Sequence, residues 1–268
     1  MTQPLAEPFQ PPVYRYMPLN SEKRIQYAAD LLLRNRVYYP PMNSFSDPFE
    51  GRLNISFEAS FDEKIAHVAG IIQQRCGISH KEAEAQAPAW IESNEKEGPE
   101  RTRKMVTDDW GVWCLSKSKH DIAMWSLYAD GHQGICVEFA ATRLEHAAFF
   151  ATIQPVKYKD EMPCVNMYKT SRIEIAQAAF LTKSSRWIEE EECRATVTDI
   201  SDTNPRERDL PAGIVSAVYL GTRITAENRG RVVEWAKESK SPMTVFLARP
   251  KDREYGLDFD LVYKASNG

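Results

Sequence analysis

Residues 183–194 read Lys-Ser-Ser-Arg-Trp-Ile-Glu-Glu-Glu-Glu-Cys-Arg, and no other stretch restricts the fold as strongly. The residues that follow (Ala195, Thr196, Val197 and Thr198) favour extended backbone, which predicts a strand over 187–198 despite the glutamates. Side chains alternate along a strand. Glu190, Glu192 and Arg194 then share one face, and Glu189, Glu191 and Cys193 the other. A slip of one residue would turn Glu189 and Glu191 inward instead. Two carboxylates on one face repel unless a cation lies between them or one holds a proton, and that repulsion is what makes an acid/base pair. The same run also suits a solvated acidic helix end. Sequence alone leaves both open.

The rest of the chain predicts an α+β fold, with a mixed or antiparallel central sheet, flanking helices and a helical insertion. Short strands are expected at 13–16, 37–39, 110–115, 134–139, 152–158, 214–220, 243–248 and 257–263. Helices are expected at 21–34, 121–128, 168–180 and 227–238. Strands and helices mix without regular βαβ alternation, which argues against a doubly wound parallel sheet. Residues 1–12 carry Pro4, Pro8, Pro11 and Pro12 and read as a flexible N-terminal arm. A single domain is expected over 13–268. Residues 60–108 change character to charged helical periodicity, with breaks at Gly77 and at Gly98-Pro99. They read as a three-helix insertion and the natural partner-facing part. Residues 199–210 read as a polar loop.

Composition narrows the partners. The 268 residues are 43% hydrophobic and 27% charged, so a sizeable core is expected, and the net charge of −4 gives no general attraction to nucleic acid or anionic membranes. No apolar run reaches the roughly 20 residues needed to span a bilayer, and no signal peptide is expected of residues 1–20, which are proline-rich and lack an apolar core region. The five cysteines include no CxxC pair, and the five histidines no paired spacing, so neither a disulfide framework nor a metal site is expected. A reducing cytoplasm is the expected address. No GxGxxG, P-loop or GxSxG sequence occurs.

Three further segments carry chemistry-bearing residues. The stretch 124–134 holds Trp125 and Tyr128, which could stack on a flat ring, and Ser126 and His132, which could bond a ligand's polar edge. Core packing of Trp125 and Tyr128 serves equally well. Arg15 lies between Tyr14 and Tyr16 on the first strand and faces away from both. An arginine aimed into a cleft needs a carboxylate or a phosphate, although a rim position would need neither. Asp47-Pro48-Phe49-Glu50 forms either a ligand-contacting loop or an Asx turn.

In this order the motifs resemble the bacterial family catalogued as domain of unknown function 2971. The matching pieces are Tyr14-Arg15-Tyr16, Phe45-Ser46-Asp47-Pro48-Phe49-Glu50, Cys114-Leu115-Ser116, the block from Met124 to Phe139, and Lys183, Trp187, Glu190, Glu192 and Arg194. Ser46 stands where the family usually has Asn, and Cys193 where an aromatic is common. The family name implies no reaction.

The layout is also similar, more loosely, to ADP-ribosyltransferases: an early strand with a lone arginine, a middle region with aromatics and Ser, and a late strand with Glu-x-Glu. That resemblance implies NAD as the substrate and no metal. Arg15 would bind its pyrophosphate or ribose, with Tyr128 stacking on nicotinamide beside Trp125 and Ser126. Glu192 would be the catalytic carboxylate and Glu190 would orient or deprotonate the acceptor. The competing expectation is a non-enzymatic interaction module, in which the Glu/Arg cluster is an internal ion network and the insertion carries the partner surface. A role in defence or conflict fits the first, and a small nucleotide rather than nucleic acid is its expected partner.

Overall fold

The computed structural model describes residues 11–108, 110–141, 146–197, 200–201 and 203–265. Most of the N-terminal arm expected over 1–12 therefore lies outside the described residues. Strands β1 (Val13–Met17), β4 (Gly111–Ser116), β5 (Ile135–Phe139), β6 (Ile153–Pro155), β10 (Glu192–Val197), β12 (Val215–Leu220), β13 (Thr244–Pro250) and β14 (Leu257–Lys264) form one eight-stranded sheet. Its order is β14-β13-β12-β5-β1-β4-β10-β6. Only β12 and β13 run parallel, joined through helix α7 (Ala226–Glu238); the other neighbours are antiparallel. The fold is α+β with a mixed sheet, as the sequence predicts.

Alternation along the strands sorts the core into faces. Val13, Trp113, Leu115, Val137, Phe139 and Cys193 lie on one side, packed with Leu31 and Leu32 of α1 (Glu22–Arg34) and Val232 and Ala236 of α7. Tyr14, Tyr16 and Cys136 lie on the other, against Trp125 of α4 (Ile122–Tyr128). On that same side Val112 and Cys114 meet Phe180 of α6 (Arg172–Phe180).

Local signals explain the helix ends. Ser21 caps α1 by accepting from the Arg24 amide, and Asn35 ends it in the left-handed region at φ 52°. Asp121 caps α4 by accepting from the Met124 amide at 2.9 Å. Helix α2 (Phe61–Cys76) opens on a Ser60/Glu63 capping box and stops at Gly77, φ 66°.

The three-helix expectation for the insertion is corrected. α3 (His80–Asp108) is continuous through Pro88 and Gly98-Pro99, so residues 60–108 hold two helices. Each proline removes one backbone donor. Packing of Ala83, Ala87 and Ile91 on Val68, Ala69 and Ile72 of α2 holds the N-terminal half in place.

The distant pairings of the short strands were not foreseen. β2 (Arg36–Tyr38) pairs with β11 (Glu207–Asp209), inside the segment expected to be a loop. β3 (Asn54–Ser56) pairs with β8 (Cys164–Asn166). The strand expected at 152–158 divides: Ile153–Pro155 edges the main sheet, while β7 (Lys157–Lys159) pairs with β9 (Thr182–Ser184). α5 (His146–Phe150) completes the elements.

The connection from α4 to β5 is unusually tight. Asp130, Gly131 and His132 all take positive φ, and the Gly134 amide donates to the Ala129 carbonyl at 2.8 Å. A Cβ on Gly134 would lie 2.2 Å from the Met17 carbonyl oxygen. The neighbour is backbone and cannot step aside cheaply. Gly134→Ala is expected to cost about 1–3 kcal/mol, read as a lower urea midpoint with unchanged m. A wild-type midpoint would refute the close approach.

Candidate functional site

β1 and β4 are neighbours in the sheet, yet their register consists of one residue pair, Tyr14 opposite Ser116. Beyond that pair the strands part. The carbonyl of Cys114 is met by the Arg15 guanidinium through Nη1, a side chain standing in for a ladder donor. The gap opens into a cleft of about 340 Å³ lined by residues of both strands and by Tyr128, Lys183, Glu190 and Glu192.

The floor of the cleft is a buried cluster of charges. Lys183 comes from β9, and a 3-10 turn over Ser185–Glu190 follows it. Glu191, left-handed at φ 44°, ends the turn, and β10 begins at Glu192. The continuous strand expected over 187–198 is thereby corrected: the left-handed residue at 191 cannot belong to an extended run. Glu190 and Glu192 still point the same way, with Glu189 and Glu191 exposed, but a turn brings them together instead of strand alternation.

Lys183 Nζ donates to Glu190 Oε2 at 2.5 Å and to Glu192 Oε2 at 3.0 Å, and lies 3.4 Å from Glu50 Oε1. Its charge also sits 5.2 Å from the centre of the Trp187 ring. Arg194 clasps Glu192 with Nε at 2.7 Å from Oε1 and Nη2 at 3.0 Å from Oε2. The same Nη2 donates to Glu50 Oε1, and Nη1 to the Phe180 carbonyl, both at 2.8 Å. The Arg194 side chain is 0% exposed and those of the three glutamates 3–7%. The Tyr128 hydroxyl donates to Glu190 Oε1 at 2.6 Å, and the Glu192 amide donates to the Tyr158 hydroxyl at 2.7 Å.

Three carboxylates therefore face two cations, and the imbalance has a definite location. Burial pushes the Glu192 carboxyl up, but the charge and hydrogen bonds of Arg194, then Lys183, outweigh it and hold the group at about 2. Burial pushes Glu190 up as well, and there it wins over Lys183, leaving Glu190 above the ordinary carboxylate range. Burial opposes the charge on Lys183, but Glu192, Glu50 and Glu190 raise its pKa on balance. Burial and then the bond to Glu190 raise the Tyr128 phenol. Glu50 Oε2 is buried with no hydrogen-bond partner. The cluster thus holds two carboxyl groups pushed in opposite directions, Glu192 down and Glu190 up, side by side on Lys183.

Of the residues singled out by sequence, Arg15, Tyr128, Glu190 and Glu192 line one cleft. Trp125 and Ser126 do not. Trp125 is fully buried, edge-on to Tyr16 at 5.3 Å, with its indole N–H donating to the Lys119 carbonyl at 2.8 Å. Ser126 donates to the Ile122 carbonyl at 2.9 Å. Tyr128 enters through its hydroxyl. Asp47 accepts from the Phe49 amide at 2.9 Å, the Asx-turn alternative, and that turn delivers Glu50 to the cluster. Glu50 was missed. The phenylalanines around it hinted at a docked loop, but nothing local names a partner 144 residues away.

Among the described residues no group of three or more His, Cys, Asp and Glu is arranged to hold a metal ion. No helix of the described residues is long and apolar enough to cross a membrane. Residues 124–195 match the model of a family described as Protein of unknown function (DUF2971), which supports the family resemblance drawn from the motifs. The match runs from α4 into β10 and so takes in Tyr128, Lys183, Glu190, Glu192 and Arg194. Neither curated proteins nor solved structures give a match.

Replacing Arg194 leaves Glu192 and Glu50 buried without their main cation. Arg194→Met is expected to destabilise by about 3–5 kcal/mol, measured by urea unfolding at pH 7; a loss below 1 kcal/mol, roughly the worth of an exposed pair, would refute the buried network. Glu192 has a folded pKa below its ordinary value, so the stability it contributes is full above about 4.5 and is lost as pH falls towards 2. Glu190, shifted the other way, acts at higher pH and in the opposite sense. Glu192→Gln should therefore be less stable at pH 7 but flatter between pH 4.5 and 2. An acid profile parallel to the wild type would contradict the assignment.

Proposed function

We propose that this chain, whose residues 124–195 carry the DUF2971 match, is an enzyme whose cleft takes a phosphorylated nucleotide, and that its reaction is NAD-consuming glycosyl transfer. One observation carries the proposal: Arg15, with one carbonyl partner, opens onto the same cleft as the Glu190–Lys183–Glu192 array. A guanidinium with uncommitted donors suits a phosphate. A carboxylate nearby suits a sugar carbon that becomes cationic as its leaving group departs.

In such a step the bond from the ribose C1′ to the nicotinamide nitrogen breaks, and its electron pair leaves with nicotinamide. The developing cation is stabilised by the carboxylate, and water or an acceptor closes the new bond at C1′, its proton passing to a base. Glu190 is the better candidate for that base. Its Oε1 is held by the Tyr128 hydroxyl alone, and its raised pKa suits proton transfer. Glu192, engaged at both oxygens by Arg194 and at one by Lys183, is better suited to fixing Lys183 and the local field.

A second reading has its own support. The bonds of Arg194 to Glu192, Glu50 and the Phe180 carbonyl are complete without a ligand, as expected of a structural ion network in an interaction module. Catalysis separates the two. With millimolar NAD the wild type should show a raised Tm and release nicotinamide. Glu190→Gln should release it about 10²- to 10⁴-fold more slowly while keeping most of its stability. No Tm shift and no nicotinamide would abandon the enzyme reading for the module.

A further inference from the structure

The cleft at the β1–β4 gap does not end at Arg15. A second lobe of about 370 Å³ adjoins it, sharing Arg15, Tyr16, Pro18, Arg24, Pro40 and Ser44 as a common wall. The second lobe lies on the α1 side of the sheet. Its floor includes Trp113, which faces the core opposite to Cys114, while the cluster of Glu50, Glu192 and Arg194 lies on the Cys114 side. The two lobes thus lead from one face of the sheet to the other, with Arg15 in the passage.

The chemistry of the second lobe is cationic and aromatic. Lys23 and Arg24 rise from the first turn of α1, where the positive end of the helix dipole disfavours cations. Neither has an ion-pair partner among the described residues, and Lys23 Nζ rests 5.7 Å above the Tyr27 ring. Burial and then neighbouring charges, Arg24 among them, act on Arg15, and the net effect lowers its pKa. These cations are poorly compensated within the chain. Of the two carboxylates lining the lobe, Asp30 is engaged by Arg34 and Gln26, while Glu207 has no ion-pair partner among the described residues and offsets part of the charge; Arg36 is paired with Asp209. Tyr27 and Tyr38 stack at 5.6 Å with rings 8° from parallel, forming a half-buried aromatic wall between α1 and β2.

We infer that the second lobe is a subsite for the nucleoside-phosphate half of a two-part ligand. Arg15 and Arg24 at the junction take the linking phosphates, Lys23 adds charge, and the Tyr27/Tyr38 wall takes the flat base. The observation that carries this is the junction: two arginines with no carboxylate partner, shared by two lobes, one acidic and one basic-aromatic. A ligand with a diphosphate in its middle places its charge there. A phosphorylated sugar alone would leave the second lobe unfilled. The inference deepens the proposed function and rests on it for the identity of the other half, but not for the second lobe itself.

The test is isothermal titration of the full chain with ADP and, separately, with nicotinamide mononucleotide, which lacks the second half. Wild type, Lys23→Ala and Tyr38→Ala are compared, with far-UV circular dichroism confirming the fold of each variant. ADP should bind the wild type, and each variant should weaken it roughly tenfold, the order expected for losing one stacking or phosphate contact. Nicotinamide mononucleotide affinity should stay unchanged. No ADP binding at millimolar concentration, or equal ADP affinity in all three proteins, overturns the inference. So does tighter binding of a single-stranded oligonucleotide with steep salt dependence, which would make the lobe a nucleic-acid groove. If NAD is not consumed yet ADP binding depends on Lys23 and Tyr38, the glycosyl-transfer reading falls and the subsite stands. NAD consumption with ADP binding indifferent to both gives the reverse.

Discussion

The clasp of Arg194 on Glu192 and Glu50 is the interaction on which the central part of the structure turns. Taking a charge out of water costs several kcal/mol even after relaxation, and only close, well-directed partners repay it. Arg194 has them: both oxygens of Glu192, one of Glu50 and the Phe180 carbonyl, all within 3.0 Å. Each partner belongs to a different piece of chain, so satisfying one guanidinium fixes the 42–52 loop, the end of α6 and the start of β10 at once. Lys183 is held by the same carboxylates, and through it Glu190 and Tyr128 take their places.

The parting of β1 from β4 supplies the other half of the site. A central sheet normally spends its backbone groups on ladder bonds. Here Arg15 takes the Cys114 carbonyl, and the resulting opening lies directly beside the charge cluster. Charges arranged by a tightly bonded floor face a space made by missing strand pairing. This combination of fixed polar groups and local vacancy is what preorganised ligand sites require.

Much of this was legible in the chain, for reasons that can be named. Alternation in β1 and β5 and the apolar run of β12 made those strands readable. Asp121 at the start of α4 and Gly77 at the end of α2 marked helix ends by local chemistry. What escaped depended on distance. The three-residue strands pair with partners such as Cys164 for Asn54 and Asp209 for Arg36, and their polar sequences carry no periodicity. α3 passes Pro99 because helical breakers are penalties that surrounding packing can outweigh. Glu50 could not be assigned from its own neighbourhood, and the aromatic and hydroxyl groups of 124–128 could not be divided between core and cleft without the helix face that buries Trp125.

An eight-stranded open sheet has two free edges, and a free edge is a template on which further strands can add. At one side the edge is β6, three residues long and ended by Pro155, which has no amide to offer. At the other is β14, where Asp258 and Asp260 pair with Arg249 and remain partly exposed to water. A second chain docking there would have to strip water from charges, and at β6 it would find almost no ladder to extend. Both margins are therefore poor seeds for self-assembly. The chain can keep its sheet open at the centre, where β1 and β4 part, without becoming adhesive at its rims.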